Sequence, residues 1–485
     1  MIDDAANEET KPQEQKSSVI EKGLKGLVPP MIFEWAILLS VPFADVFFLS
    51  RISDNSAAGV GMVTPYILGC FVVIEAICIA CVSIAGQKMG KGESTVSRET
   101  LSFMLIVVTV VLALLATLLG SFSGSLVALM HLPQAVSVEA EQYLSIGAFI
   151  LVGWGAAAAY KSVLNLYGHP KWNLAATSIL TVVNISLNSI VVFGLFGFPK
   201  MGVTGVAISS VIAAFVSLAF LAIVVRYKFG IRLYDFPSLD SMRSMWRPIA
   251  NIAIPSSIEP LSYHVYAFIL NLLIARVGVE EVTMRVYANN IFTICLVVSI
   301  SFSIATQMIV AQLYGAKQLR RAHLELTHSV KISCLIIGAL SILFWLNADS
   351  LIRYLSENDN VIEMAATVFM IYFLTEIPRT INIVVTGSLK AVGDAWVITF
   401  RSCIITWIIA LPSAFLLTLY FELGLLGILW AIFLDELLRS IANLSRWYSK
   451  HAGLQGGFFS VMRTELMRLV LPRNKKQMLS GEGGG

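Results

Sequence analysis

Apolar runs of twenty or more residues recur along the chain, separated by short polar stretches, and polar and apolar positions do not alternate as they would in half-buried strands. A helix needs about 20 such residues to cross the hydrocarbon core of a bilayer. The pattern predicts twelve membrane spans, at roughly 27–50, 59–86, 101–126, 143–163, 173–196, 203–227, 248–274, 287–313, 329–348, 361–387, 396–420 and 424–445. Lipid offers no partner for a free backbone N–H or C=O, so the spans are helices and the fold class is an all-α integral membrane protein.

Lys and Arg fall unevenly between these spans. Loops after even-numbered spans carry Lys88, Lys91, Arg98, Lys161, Lys228, Arg320, Arg321 and Lys390 among others, whereas the opposite loops carry only Arg51, Lys200, Arg276, Arg285 and Arg353. The positive-inside rule then places both termini and the basic loops in the cytoplasm.

The two halves also repeat each other at an offset of 225 residues. Pro30 and Glu34 recur as Pro255 and Glu259, Gln87 and Gly90 as Gln312 and Gly315, Leu164 and Gly168 as Leu389 and Gly393. Gly202 and Gly205 match Gly424 and Gly427 at offset 222, so a shorter loop slips the register by three. Chance identities are common in a chain rich in Leu, Ile and Val, and the weight falls on the matched polar, proline and glycine positions. Six spans per half give both copies the same orientation, a parallel repeat about an axis along the membrane normal. The chain divides into a cytoplasmic tail (1–24), an N-terminal six-helix lobe (25–227), a cytoplasmic linker (228–247), a C-terminal six-helix lobe (248–446) and a basic tail (447–485). Within that tail, residues 456–476 mix Phe458, Phe459, Val461 and Met462 with Arg463, Arg468, Arg473 and Lys475, a pattern for an amphipathic helix on the inner leaflet or a loosely ordered basic tail.

Composition agrees: 57% of the 485 residues are hydrophobic and 13% charged, with a mean hydropathy of +0.78. A net charge of +3 gives no footprint for nucleic acid. Cys70, Cys78, Cys81, Cys295, Cys334 and Cys403 fall in or near apolar spans with no CxxC pair, so they read as free core thiols rather than disulfides or metal ligands. The polar first 20 residues do not resemble a cleaved signal peptide, which leaves the first span in place. The final SGEGGG has the look of a linker remnant or a native tail.

A carboxylate inside the hydrocarbon layer costs several kcal/mol unless it is protonated, paired or facing water. Glu34 and Asp45 lie eleven residues apart on the first span, on one face and about 16 Å apart, with Pro42 between them to free a carbonyl and bend the helix. Asp45 is a candidate for coupling or cation binding or for a structural bond to a neighbouring helix; Glu34, about two turns from the cytoplasmic end, is a candidate for the same role or for contact with interfacial water. Glu259 repeats Glu34 and is followed one turn on by Tyr263 and His264, the makings of a proton-responsive site or a static carboxyl–backbone bond. Glu376 and Arg379 flank Pro378 and can neutralise one another. Asn184 and Asn188 are one turn apart and can bond Asp45 if spans 1 and 5 pack together, or serve as interhelical glue. Asp435, Glu436 and Arg439 form a charge cluster on span 12, and Glu75 is a lone acid on span 2.

In this order, PFADVFFLSR in span 1, AGQKMGKGE after span 2, NISLNSIVVFGLFGFPKMGVTGVAIS over spans 5 and 6, VAQLYGAK after span 8, GSLKAVGDA after span 10 and DELLRSIANLSR in span 12 resemble the multidrug and toxic compound extrusion (MATE) family of cation-coupled antiporters. The resemblance covers about residues 25–450. It implies two six-helix lobes flanking a central cleft that opens alternately to the two sides, and a monomer in the cell membrane that exchanges an organic, cationic small molecule for H+ or Na+ without other cofactors. Asp45 matches the family's first-helix aspartate, implicated in ion coupling, and Asn184 and Asn188 match polar positions of its fifth helix. The chain departs from some members at Asn188, where they carry an aspartate, and near Arg379, where they carry an acid. Glu34, Glu259, Tyr263, His264, Glu376 and Arg379 remain for substrate or cation binding.

A lipid-linked oligosaccharide flippase of the same superfamily would share these helices, but its cleft would need cations for a pyrophosphate. An embedded enzyme would need clustered acids or histidines at a membrane face, and the chain has no HExxH, no paired-Asp motif and no phosphate-cradling or Walker A glycine loop. A channel would repeat around a pore built by several subunits.

Overall fold

The computed structural model describes residues 18–229 and 238–451. The amphipathic stretch at 456–476, the terminal SGEGGG, most of the N-terminal tail and residues 230–237 of the linker lie outside the described residues. The chain divides between Met245 and Trp246 into two compact units.

The first unit contains α1 (Ser18–Ile52), α2 (Asp54–Gly90), α3 (Ser94–Ser121), the short α4 (Ser123–Ala128), α5 (Gln134–Gly147), α6 (Ile150–Leu166), α7 (Pro170–Phe193) and α8 (Gly202–Phe229). α9 (Leu239–Ile274) carries the chain across the division. The second unit continues with α10 (Val279–Gly315), α11 (Leu319–Leu346), the short α12 (Ala348–Arg353), α13 (Asp359–Ala391), α14 (Ala395–Ile404), α15 (Leu411–Phe415) and α16 (Gly424–Lys450). All twelve expected spans fall on these helices. Among the described residues, nine helices are long and apolar enough to cross a membrane, and α5 with α6, bent by 42°, makes a tenth span. The other two expected spans lie on α9 and α16, whose composition is diluted by prolines and charges: Pro248, Pro255, Pro260 and Glu259 on α9, and Asp435, Glu436 and Arg439 on α16. The three charges on α16 are buried, so they face protein rather than lipid. Large apolar side chains such as Phe43, Val110, Leu335 and Phe400 are instead exposed, as a lipid-facing surface requires.

α1 runs through Pro29, Pro30 and Pro42, and its non-helical residue is Gly23 (φ 54°, ψ −166°). Around Pro412 the helix from Ala395 to Tyr420 widens into π turns at Ile405–Ala410 and Leu416–Tyr420, one way to absorb a residue that has no N–H to give.

The sequence repeat is also a repeat of backbone geometry. Gly168 (φ 76°) and Gly393 (φ 88°) end α6 and α13 in the left-handed conformation, and the next residues close matching bonds, His169 N to Leu164 O at 2.7 Å and Asp394 N to Leu389 O at 3.0 Å. The matched Leu and Gly are thus the acceptor and the left-handed residue of one C-terminal cap. After α2 and α10 the caps also correspond, with Glu93 N to Lys88 O at 3.0 Å and Gln318 N to Leu313 O at 2.9 Å. Here the left-handed residue is Gly92 in the first copy and Lys317 (φ 59°) in the second.

Within the first unit α7 packs on α1 and α8, and within the second α13 packs on α10, α11 and α16. Gly427 lets α16 approach the helix before it, since a Cβ there would stand 2.7 Å from the Leu417 carbonyl carbon and 2.8 Å from Thr418 N. Two substitutions test this frame by thermal unfolding in detergent. Gly427→Ala is expected to destabilise by about 1–3 kcal/mol through overpacking against backbone, and Lys317→Gly to stabilise by about 1 kcal/mol by relieving a left-handed non-glycine.

Candidate functional site

α1 and α7 run side by side in register. Asp45 reaches Asn188 and Glu34 reaches Thr177, with eleven residues between the contacts on each helix. The upper contact belongs to a chain of polar groups: Asn188 Nδ2 donates to Asp45 Oδ1 at 2.8 Å and lies 3.3 Å from Asn184 Oδ1, and Asn184 Nδ2 donates to Ser210 Oγ on α8 at 3.0 Å. Asn184 and Asn188 are fully buried, and Asn188 Oδ1 has no hydrogen-bond partner among the described residues. The arrangement gathers a carboxylate, two amides and a hydroxyl, all able to present oxygen to a small cation, and the carboxylate is able to accept a proton. The spacing of Asn184 and Asn188 anticipates this bond to Asp45. Ser210 was missed, because one small hydroxyl in an apolar span carries no periodic signal.

Lower on the same helices, Glu34 Oε1 takes an ion pair from Lys161 Nζ on α6 at 2.8 Å. Lys161 also donates to Thr177 Oγ1 at 2.7 Å, which lies 3.4 Å from the same carboxylate oxygen. The second unit builds the same group. Glu259 pairs with Lys390 on α13 at 2.9 Å, and Ser402 Oγ donates to Glu259 Oε1 at 3.2 Å. Thr177 and Ser402 stand at the 225-residue repeat, as do the two glutamates, while Lys390 comes one helical turn later than Lys161. Both lysines were read as loop cations, and their carboxylate partners lie on other helices.

The middle of the second unit holds a larger network. Arg379 pairs with Glu376 and, through Nε at 3.3 Å, with Glu436. Arg439 reaches Asp435 at 2.8 Å and Glu436 at 3.2 Å. Asn382 Nδ2 donates to Glu436 Oε2 at 2.9 Å and Thr406 Oγ1 to Asp435 Oδ1 at 2.9 Å. Glu376 and Arg379 do neutralise one another, but as part of a network that draws in the cluster on α16. Three carboxylates face two guanidiniums here, which leaves one negative charge over. The Tyr263 ring lies 5.5 Å from the Arg439 guanidinium carbon. Of the expected patch on α9, Glu259 pairs with Lys390, the Tyr263 ring lies beside Arg439, and His264 is exposed. Glu75 stands on an exposed position of α2. Among the described residues no group of three or more His, Cys, Asp and Glu could hold a metal ion.

Outside the spans, Asp394 follows the cap of α13 and receives Arg446 at 2.5 and 2.9 Å and His451 at 3.1 Å. Burial works against its charge, yet the hydrogen bonds from His451 and Arg446 prevail and hold the carboxyl well below the usual range.

The MatE family model matches residues 30–190 and 255–416, one match in each half. The chain is 27% identical to "Uncharacterized transporter YisQ" of Bacillus subtilis, over 90% of this chain and 97% of that protein. It is 24% identical to "Probable multidrug resistance protein NorM" of Thermotoga maritima, over 88% of this chain and 91% of that protein. Two solved structures share its fold. One is a MOP superfamily transporter from Pyrococcus furiosus, reported with a binding pocket of reverse polarity, at a TM-score of 0.79 and 19% identity over 91% of this chain and 99% of that one. The other is the Vibrio cholerae MATE transporter VcmN in its bent form, at 0.80 and 17% over 90% and 98%.

The twin glutamate–lysine pairs are open to a direct stability test. Removing one partner of a buried pair leaves an uncompensated charge, so Lys161→Met and Lys390→Met are each expected to destabilise by about 3 kcal/mol. Glu34→Gln/Lys161→Met and Glu259→Gln/Lys390→Met are expected to recover most of that loss in double-mutant cycles read by thermal unfolding.

Proposed function

We propose that this chain, which belongs to the MatE family, is a secondary antiporter that exports organic, cationic small molecules in exchange for H+ or Na+. It is a multi-pass membrane transporter of the MATE family. The finer reading places it in the cell membrane as a monomer with both termini in the cytoplasm, and moves substrate by alternating access.

One observation carries the coupling site. Glu34, Glu259, Glu376, Asp435 and Glu436 each reach a Lys or Arg, whereas Asp45 is bonded by an amide and forms no ion pair among the described residues. An embedded acid without a resident cation has a preference for one that arrives. In this reading Asp45, held by Asn188 and backed by Asn184 and Ser210, takes the proton or sodium ion. Binding there and binding of the exported cation oppose one another, and linkage makes the opposition reciprocal: the ion displaces the drug as strongly as the drug displaces the ion. Glu34 and Glu259, each paired with a lysine, hold helices in place, and the network around Glu376 and Arg379 supplies the acidic surplus that favours a cationic substrate. That surplus also weighs against a flippase for pyrophosphate-linked lipids, which would need the opposite sign. Relatives bearing the name multidrug resistance protein support efflux of drug-like compounds.

The test is efflux of a fluorescent organic cation from proteoliposomes under an imposed pH gradient and, separately, a sodium gradient. Wild type is expected to transport under one of them, which names the ion. Asp45→Asn is expected to lose at least tenfold in gradient-driven rate while remaining folded in the membrane. Undiminished transport by that variant removes Asp45 from the mechanism, and wild type inert under both gradients favours the flippase.

A further inference from the structure

The caps that end α6 and α13 are copies, yet they carry opposite chemistry. In the second unit Asp394 follows the left-handed Gly393, is buried, and gathers cations from the end of α16: Arg446, Lys450 at 3.5 Å and His451. In the first unit the residue at the same place, after the left-handed Gly168, is His169. The lysine is kept, since Lys450 repeats Lys228 of α8 at the offset of 222. A second lysine joins it: Lys22 of α1 donates to Gly168 O at 2.7 Å and stands 3.5 Å from His169 Nδ1. Both lysines are exposed, and neither forms an ion pair among the described residues.

Lys228 lies over the Trp172 ring, 5.0 Å from its centre, and Trp172 N donates to His169 O at 3.2 Å, so the two lysines border one turn of chain. Both act on His169: partial burial first, and then their charges, hold its imidazole below the ordinary range. The start of α1, the turn into α7 and the end of α8 thus bring like charges to the place that a carboxylate fills in the other unit, and an anion from outside relieves their repulsion. What borders the patch selects that anion. Trp172 leans on Phe220 of α8 with ring centres 6.0 Å apart, and Ile212, Val216 and Ile223, spaced to share the face of Phe220, are all exposed. A free phosphate uses the lysines alone. An anionic phospholipid uses both parts, its phosphate on the lysines and a chain along α8, with Trp172 at the boundary where tryptophan is favoured in membranes.

We propose that Lys22, Lys228 and Trp172 form a binding site for an anionic phospholipid on the first unit, in which the lipid phosphate takes the place that Asp394 holds in the second. The site stands apart from the transport reading, since none of its residues belongs to the proposed coupling or substrate groups.

The experiment is fluorescence quenching of the purified full-length protein in detergent by phosphatidylglycerol or phosphatidylcholine with brominated chains. The Trp172 signal is isolated by comparing each protein with its own Trp172→Phe counterpart. In wild type, phosphatidylglycerol is expected to quench Trp172 at a lower mole fraction than phosphatidylcholine. Lys22→Gln/Lys228→Gln is expected to bind phosphatidylglycerol roughly thirtyfold more weakly, about fivefold for each lysine, with phosphatidylcholine unchanged. His169→Asp builds the carboxylate of the second unit into the first and is expected to abolish the preference, which decides the matter should the lysine variant fail to fold. Equal quenching of wild type by the two lipids, or a preference that survives in the folded variants, overturns the site. Displacement of phosphatidylglycerol by millimolar inorganic phosphate, but not by chloride at equal ionic strength, assigns the patch to a free anion and overturns the lipid.

Discussion

Charge in hydrocarbon must be neutralised or given a use, and that constraint organises this molecule. Each embedded carboxylate meets it in a particular way. Glu34 and Glu259 take a lysine and a hydroxyl within their own unit. Glu376, Asp435 and Glu436 share two arginines with Asn382 and Thr406 filling the remaining acceptors. Asp45 takes the Asn188 amide and, among the described residues, no ion pair. Part of this chemistry lies on α16, whose composition falls short of an apolar span because Asp435, Glu436 and Arg439 point into protein.

Duplication preserved the frame and released the chemistry. The left-handed caps at Gly168 and Gly393, the tight glycines at 205 and 427, and the glutamate–lysine–hydroxyl groups recur in both halves. The middle of each unit does not. The repeat of Asp45 is Leu270 and that of Asn188 is Ser413, while the positions matching Glu376 and Arg379 in the first half are Leu151 and Trp154. A cap or an ion pair that fixes helix packing is needed wherever the frame is used, so both copies retain it. The middle is free to differ, and here one half carries an amide-held acid and the other an arginine network.

This division also explains what was legible. Spans, repeat and the Asp45–Asn188 contact follow from local spacing: 20-residue apolar runs, matched glycines, and two asparagines one turn apart. Lys161 and Lys390 were not legible in the same way. Each lies near the end of a span, where a cation ordinarily reads as interfacial, and what distinguishes it is a partner on another helix. Periodicity reports which face a residue occupies and says nothing of which distant face it meets. The lysine of the triad even shifts by one turn between copies without losing its glutamate, since neighbouring turns of a helix point the same way.

The pairing of the other acids is what gives Asp45 its part in the proposed cycle. A ligand moves an equilibrium only by the difference in its affinity for the two states. A carboxylate already neutralised by a lysine 2.8 Å away gains little from a second cation, because the field it would offer is spent within its own unit. Glu34 therefore cannot exchange one cation for another without first breaking a bond that holds α1 to α6. Among the described residues Asp45 is held by the neutral Asn188 amide, which orients its carboxylate without cancelling its charge. In the proposed cycle, the acid with no cation partner among the described residues is thus the one with the most free energy to exchange, and the pairing of Glu34 keeps arriving cations from being captured elsewhere along the same helix.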